Sequence, residues 1–211
     1  MKKIMLSLLF LVIVLVGLKL LIDNSKKKTK TGTTTTTIID EKTEQKLSKR
    51  VDAVKKIIAR NSKYNSKTAF FIDMRIRSGK NRFFVYDLQN DKIVDKGLVA
   101  HGSGSETNIE GELKFSNVNN SLCTSLGKYY IGYSYNGDFG KAYKLYGLDK
   151  TNNNAFLRNI VLHKYSKVPY EEQDNPICLS YGCPMISERF FERIEKRIDT
   201  SEKQIVLDIY Y

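Results

Sequence analysis

Phe70-Phe71-Ile72-Asp73-Met74-Arg75-Ile76, then Ser78-Gly79-Lys80-Asn81, then Phe83-Phe84-Val85-Tyr86-Asp87-Leu88: this stretch decides the fold class. Two short runs rich in aromatic and β-branched residues flank a cluster of turn formers, and the three together read as strand, turn, strand. The same pattern continues at Ile93 to Ala100, Tyr129 to Tyr133, Ala142 to Leu148, Ile160 to His163 and Ile205 to Tyr211, with Asn136-Gly137-Asp138 marking a second tight turn. The expected fold class is therefore mainly β over residues 67–211. One helix interrupts it, with Phe190, Phe191, Ile194 and Ile198 on a common face and Ser187 as its N-cap. No internal repeat is present.

Working back toward the N-terminus, Leu47, Val51, Val54 and Ile58 recur at helical spacing, so residues 47–66 read as a leading helix and connector. Residues 23–46 are rich in Lys and Thr and lack the apolar content that would offset the entropy of ordering, which reads as a disordered stalk. Lys2 and Lys3 precede an apolar run from Ile4 to Ile22, so residues 1–22 read as a signal peptide or membrane anchor. No small-residue cleavage site follows the run, which favours an uncleaved anchor to the cytoplasmic membrane. Lys26, Lys27, Lys28 and Lys30 outnumber Lys2 and Lys3, so the flanking charges leave its orientation open.

The formal net charge of +12 belongs mostly to that N-terminal part. Residues 1–60 carry 14 Lys/Arg against 5 Asp/Glu, and the remaining chain 21 against 18. A domain so nearly balanced has little with which to neutralise a phosphate backbone, so no nucleic acid is expected as partner. Cys123, Cys178 and Cys183 are odd in number and too few for a disulfide framework, although a Cys123–Cys178 bridge stays open outside the cytoplasm. With two histidines and no zinc-type spacing, neither a metal nor another cofactor is expected.

Cys183 stands out because Gly182 and Pro184 flank it. The first admits torsions closed to other residues, while the second fixes its own φ and restricts the residue before it. A thiol on such a turn, just before the helix at Ser187, is either a placed nucleophile favoured by the helix dipole or a small core residue. His163 ends the apolar run Asn159-Ile160-Val161-Leu162-His163, and an imidazole there can take a thiol proton and return it to a leaving amine. Because Pro184 lacks an N–H, an oxyanion hole must draw on the backbone amides of Tyr181, Gly182 and Cys183 or on a distant loop.

His163 followed by Ser180-Tyr181-Gly182-Cys183 resembles the His...Ser-x-Gly-Cys signature of the L,D-transpeptidase catalytic domain (YkuD-like) family. Ser125-Leu126-Gly127-Lys128-Tyr129-Tyr130-Ile131 is similar to that family's Thr-Pro-x-Gly-x-Phe strand entry. The divergent murein L,D-transpeptidase branch is resembled more closely, through Val99-Ala100-His101-Gly102-Ser103-Gly104-Ser105, Phe115-Ser116-Asn117, Asn154-Ala155-Phe156-Leu157-Arg158 and Gly182-Cys183-Pro184. Two positions depart from the main family, Lys164 where Gly is usual and Met185 where Arg or Asn is usual.

The resemblance implies a β-sandwich or barrel with one or two short helices, in the periplasm or cell envelope. It implies Cys183 as nucleophile and His163 as base, acting on peptidoglycan stem peptides through an acyl-enzyme to form 3→3 cross-links, with water as acceptor giving an L,D-carboxypeptidase. Ser180, His101 and Arg158 are supporting or substrate-binding candidates. His101 either orients His163, lines the groove or is a hydrogen-bonded turn residue, and Arg158 either receives a substrate carboxylate or forms a salt bridge. A sortase-like transpeptidase is the nearest enzymatic alternative, but its Thr-Leu-x-Thr-Cys pattern is missing. A non-catalytic wall-binding module is the alternative from another class.

Overall fold

Side chains alternate across a strand, so a run that is apolar at every position must be covered on both faces. The computed structural model describes residues 41–211, and its central strands meet that condition. In chain order these residues form α1 (Glu41–Arg60), β1 (Tyr64–Asp73), β2 (Phe83–Asp87), β3 (Lys92–Gly97), β4 (Val99–Ala100), β5 (Gly127–Gly137), β6 (Gly140–Gly147), β7 (Val161–Lys164), β8 (Met185–Ile186), α2 (Glu188–Asp199) and β9 (Gln204–Tyr210). The strands hydrogen-bond in the order β3-β2-β1-β9-β5-β6-β7-β8-β4. The two edges, β3 and β4, are separated in sequence by Leu98 alone, so the sheet has to curl until its edges meet. The fold is mainly β with two helices.

Inside the curl, Phe70, Ile72, Phe83, Val85, Tyr129, Leu145, Leu162 and Leu207 pack with Phe190, Phe191 and Ile194 of α2. Ser187 caps α2, its hydroxyl accepting the Phe190 N–H at 3.4 Å, and Glu188 lies in the first turn where the helix dipole favours an acid. On the opposite face of β1 and β9 lies α1, which buries Leu47, Val51 and Val54. Two carboxylates are buried under it. Asp208 accepts two hydrogen bonds from Arg50 at 2.7 and 2.6 Å, and Asp73 accepts one from Lys46 at 3.1 Å. Both cations lie over the Tyr210 ring.

Two expectations need correction, and one strand was not expected. The leading helix begins at Glu41, inside the stretch assigned to the stalk, because Glu41 and Glu44 favour a helix N-terminus and Leu47 is already buried. The run Ile93 to Ala100 divides into β3 and β4 at Leu98, which turns into a satellite cluster with Ala100, Val168, Ile177 and Met185. β8 is two residues long and has no periodicity to read. The expected membrane segment, residues 1–22, and the stalk as far as residue 40 lie outside the described residues. Among the described residues no helix is long and apolar enough to cross a membrane.

Removing Arg50 would strand the fully buried Asp208 carboxylate, so Arg50→Met should cost about 3 kcal/mol in urea unfolding. Adding Asp208→Asn to that variant should recover part of the loss. Equal stability of the two variants would mean that the carboxylate is not the cause.

Candidate active site

The cleft floor is built by register. In β6 and β7, Ala142 pairs with His163 and Lys144 with Val161, and β8 runs parallel to β7 with Met185 beside His163. Alternation turns Ala142, Val161 and His163 to the outer face, away from Leu145 and Leu162 in the core. They line a cleft of about 370 Å³ together with Cys183, Met185, Tyr181 and the tip of the β5–β6 hairpin. The tip is the turn signalled by Asn136-Gly137-Asp138. From it Phe139 folds back and stacks on the His163 ring, centroids 5.2 Å apart and planes 24° apart.

Cys183 is held by a turn that only glycine fits. Gly182 has φ 116°, and a Cβ there would lie 2.9 Å from the Cys123 carbonyl oxygen. Gly102 completes the crowding, since its own Cβ would fall 2.9 Å from the Gly182 Cα. Ser180 pins the turn from within, its hydroxyl accepting the Gly182 N–H at 3.0 Å, its N–H donating to the His101 carbonyl at 2.9 Å and its carbonyl accepting from Ser103 at 2.7 Å. Thus the segment from Val99 to Ser105 backs the Cys183 turn rather than entering the cleft.

Around the sulfur, the Val161 N–H points at Sγ from 3.4 Å and the thiol points at the Asn159 carbonyl, 3.6 Å away. Asn159 can present that carbonyl because it adopts φ 54°, a left-handed conformation in which Asn is enriched. Burial pushes the thiol above its ordinary value, while the Val161 N–H and the positive fields of Lys144 and Arg158 pull it back in part. Burial likewise holds His163 below its ordinary value, partly offset by its backbone hydrogen bond. Burial thus biases both groups toward their neutral forms, thiol and imidazole. The tautomer follows from one hydrogen bond. His163 Nδ1 lies 3.0 Å from the Lys164 carbonyl, which only accepts, so Nδ1 carries the proton and Nε2 keeps a lone pair. Among the described residues no hydrogen bond joins this imidazole to the Cys183 thiol.

Ser180 is part of the cleft lining, whereas His101 and Arg158 fall outside it. His101 is buried with Arg82 donating to Nδ1 at 2.9 Å, so its Nε2–H goes to Glu106, and its ring neither lines the cleft nor reaches His163. Arg82 itself is fully buried and lowered to about 9 by desolvation. Arg158 meets neither a carboxylate nor the cleft. Its Nη1 and Nη2 donate to Ser116 O, Ser125 Oγ, Ser121 Oγ and Cys123 O, which tie the loop before β5 to the back of Gly182. Cys123 and Cys178 are free thiols, the former donating to Gly104 O at 3.0 Å. Of the amides expected for an oxyanion hole, Gly182 N–H is committed to Ser180, while those of Tyr181 and Cys183 have no partner among the described residues. Phe139, Asn159 and the Lys164 carbonyl were missed by the sequence reading. The hairpin turn was visible for the first, but nothing local announces the other two. Among the described residues no group of His, Cys, Asp or Glu is gathered so as to hold a metal ion.

Because Phe139 covers the imidazole, Phe139→Ala should raise the His163 pKa toward its ordinary value. NMR titration of the ring protons, followed from pH 4 to 8, should then show His163 charging at higher pH than in the unsubstituted chain. An unchanged or lower titration point would mean that Phe139 contributes nothing to the desolvation.

A family description, L,D-transpeptidase catalytic domain, matches residues 23–208. Among solved structures, the chain is similar to the helical cell shape determining protein Pgp2 (K307A mutant) from Campylobacter jejuni, at 13% identity and TM-score 0.45, covering 75% of this chain and 53% of that one. It is also similar to an L,D-transpeptidase from Xylanimonas cellulosilytica, at 13% identity and TM-score 0.36, covering 69% and 61%. A third is L,D-transpeptidase 1 of Mycobacterium tuberculosis, at 9% identity and TM-score 0.35, covering 68% and 62%. The chain thus spans only about half to three fifths of the length of these structures. No curated protein matches it. A family match over most of the sequence, joined to a curled β fold, means that the chain belongs to the L,D-transpeptidase catalytic domain family.

Proposed function

We propose that this protein is a peptidoglycan L,D-transpeptidase with Cys183 as nucleophile and His163 as base. The observation that carries the reading is that one cleft is lined by both a glycine-positioned thiol and an imidazole whose Nε2 lone pair is available. In this reading the thiol proton passes to Nε2 as Sγ bonds to the carbonyl carbon of the third residue of a tetrapeptide stem. The N–H groups of Tyr181 and Cys183 receive the developing oxyanion. Collapse breaks the bond to the terminal D-alanine, whose amine takes the proton back from His163, and a thioester remains. The side-chain amine of a second stem then attacks that thioester, giving a 3→3 cross-link and restoring the thiol. Water in place of the amine would make the chain an L,D-carboxypeptidase. Stem peptides lie outside the cytoplasm, which agrees with residues 1–22 acting as an anchor to the cytoplasmic membrane and the basic stretch after them as a stalk.

The sortase-like alternative fits less well, because a sortase arginine comes from a strand, whereas here Arg189 and Arg193 lie on α2 and Arg193 is paired with Asp95.

Incubation of the full chain with disaccharide-tetrapeptides should release D-alanine and form cross-linked dimers, both read by mass spectrometry. Cys183→Ala should abolish both products, and His163→Ala should slow them about 100-fold or more. Cys123→Ser and Cys178→Ser should change the rates little. A folded, unsubstituted chain giving neither product would favour the wall-binding module.

A further inference from the structure

Two cations reach the Cys183 sulfur with their fields, Lys144 and Arg158. Arg158 is committed to four carbonyl and hydroxyl oxygens behind the nucleophile turn. Lys144 is different. It projects from β6 on the same outer face as Ala142 of the cleft floor, and it is the cross-strand partner of Val161, whose N–H points at the thiol. Its ammonium donates to Asn159 Oδ1 at 2.9 Å, which leaves two N–H groups open. It lies 5.1 Å from the ring centroid of Tyr135, a cleft residue, and 5.7 Å from that of Phe156. Two rings and one amide therefore fix where the charge sits. Neighbouring lysines have acids: Lys141 pairs with Glu195 and Asp199 on the core side of the sheet, and Lys164 lies 3.8 Å from Glu188. Lys144 has no carboxylate partner among the described residues. Among the residues lining the cleft, the one carboxylate is Asp138, on the hairpin tip.

A lysine held in place at the edge of a nucleophile's cleft, without a counter-ion, is complementary to an anion carried by the substrate. We propose that Lys144 is a specificity-determining residue that receives a carboxylate of the acyl-donor peptide, with Asn159 orienting the ammonium. The identity of that peptide as a stem peptide rests on the function proposed above, while the carboxylate site itself does not.

The test separates charge recognition from thiol reactivity. The full chain is alkylated with iodoacetate, which carries a carboxylate, and with iodoacetamide, its neutral isostere, and the rate at the Cys183 peptide is followed by mass spectrometry. Any change in the thiolate fraction alters both rates alike, so their ratio isolates recognition of the carboxylate. Lys144→Met should lower the iodoacetate to iodoacetamide ratio about fivefold. Lys144→Arg should keep most of it, and Lys141→Met, on the other face of the strand, should leave it unchanged. A ratio unmoved by Lys144→Met would overturn the proposal, as would an equal fall with Lys141→Met, which would indicate only the general field of the domain. Failure of D-alanine release with the ratio effect intact would remove the transpeptidase reading and leave the carboxylate site standing. Release with an unmoved ratio would do the reverse.

Discussion

Everything at the site depends on how closely three backbone segments approach one another behind Cys183. The Gly182 Cα, the Cys123 carbonyl and the Gly102 backbone meet at distances that no Cβ would tolerate. Ser180 then fixes the turn with three hydrogen bonds. Arg158 holds the Cys123 carbonyl from the other side. A turn supported this way fixes the position and direction of the Cys183 Cα–Cβ bond, from which the sulfur projects. The cost is a half-buried guanidinium that meets no carboxylate among the described residues and whose buried Nε is unpartnered, which weakens the stability of that loop.

The electrostatics of the resting state follow from the same crowding. Burial favours the neutral forms of both Cys183 and His163, so the site stores a protonated sulfur rather than an exposed thiolate. A sulfur kept protonated is also less open to oxidation, because oxidation tracks thiolate character and access. The Lys164 carbonyl holds the imidazole in the tautomer with a free Nε2 lone pair, while the Phe139 ring stacks over it.

The sequence makes the chemistry and the strand set legible for different reasons. Seven strand runs, the Ser187 cap and the Asn136-Gly137-Asp138 turn are local, and each carries its own periodicity or backbone requirement. Cys183 and His163 are legible as the residues to look for in one cleft because Gly and Pro flank the one and an apolar run ends at the other. His101 and Arg158 are read less well, since both are polar residues in Gly/Ser-rich or turn surroundings and only tertiary packing decides whether such a group faces the cleft or the loop behind it. The Val99 to Ser105 segment resembles a functional motif because it is functional at one remove, supplying the Gly102 contact and the His101 carbonyl on which Ser180 hangs. β8 and the left-handed Asn159 have no local signal, being dictated by partners distant in the chain.

Strand parity also limits how a peptide can lie in the site. Ala142, Lys144 and Tyr146 share the outer face of β6, and Tyr146 stacks on Tyr130 at 4.6 Å and on Phe156 at 5.1 Å. The same face that forms the cleft floor thus passes, within one strand, to a cation and then to a wall of stacked rings. The hairpin tip with Asp138 and Phe139 bounds the cleft at the His163 side. Asp138 at the hairpin tip and Lys144 further along the strand thus set opposite charges on this one stretch of β6 and its hairpin, a polarity fixed by residue parity along β6 and by the length of the hairpin.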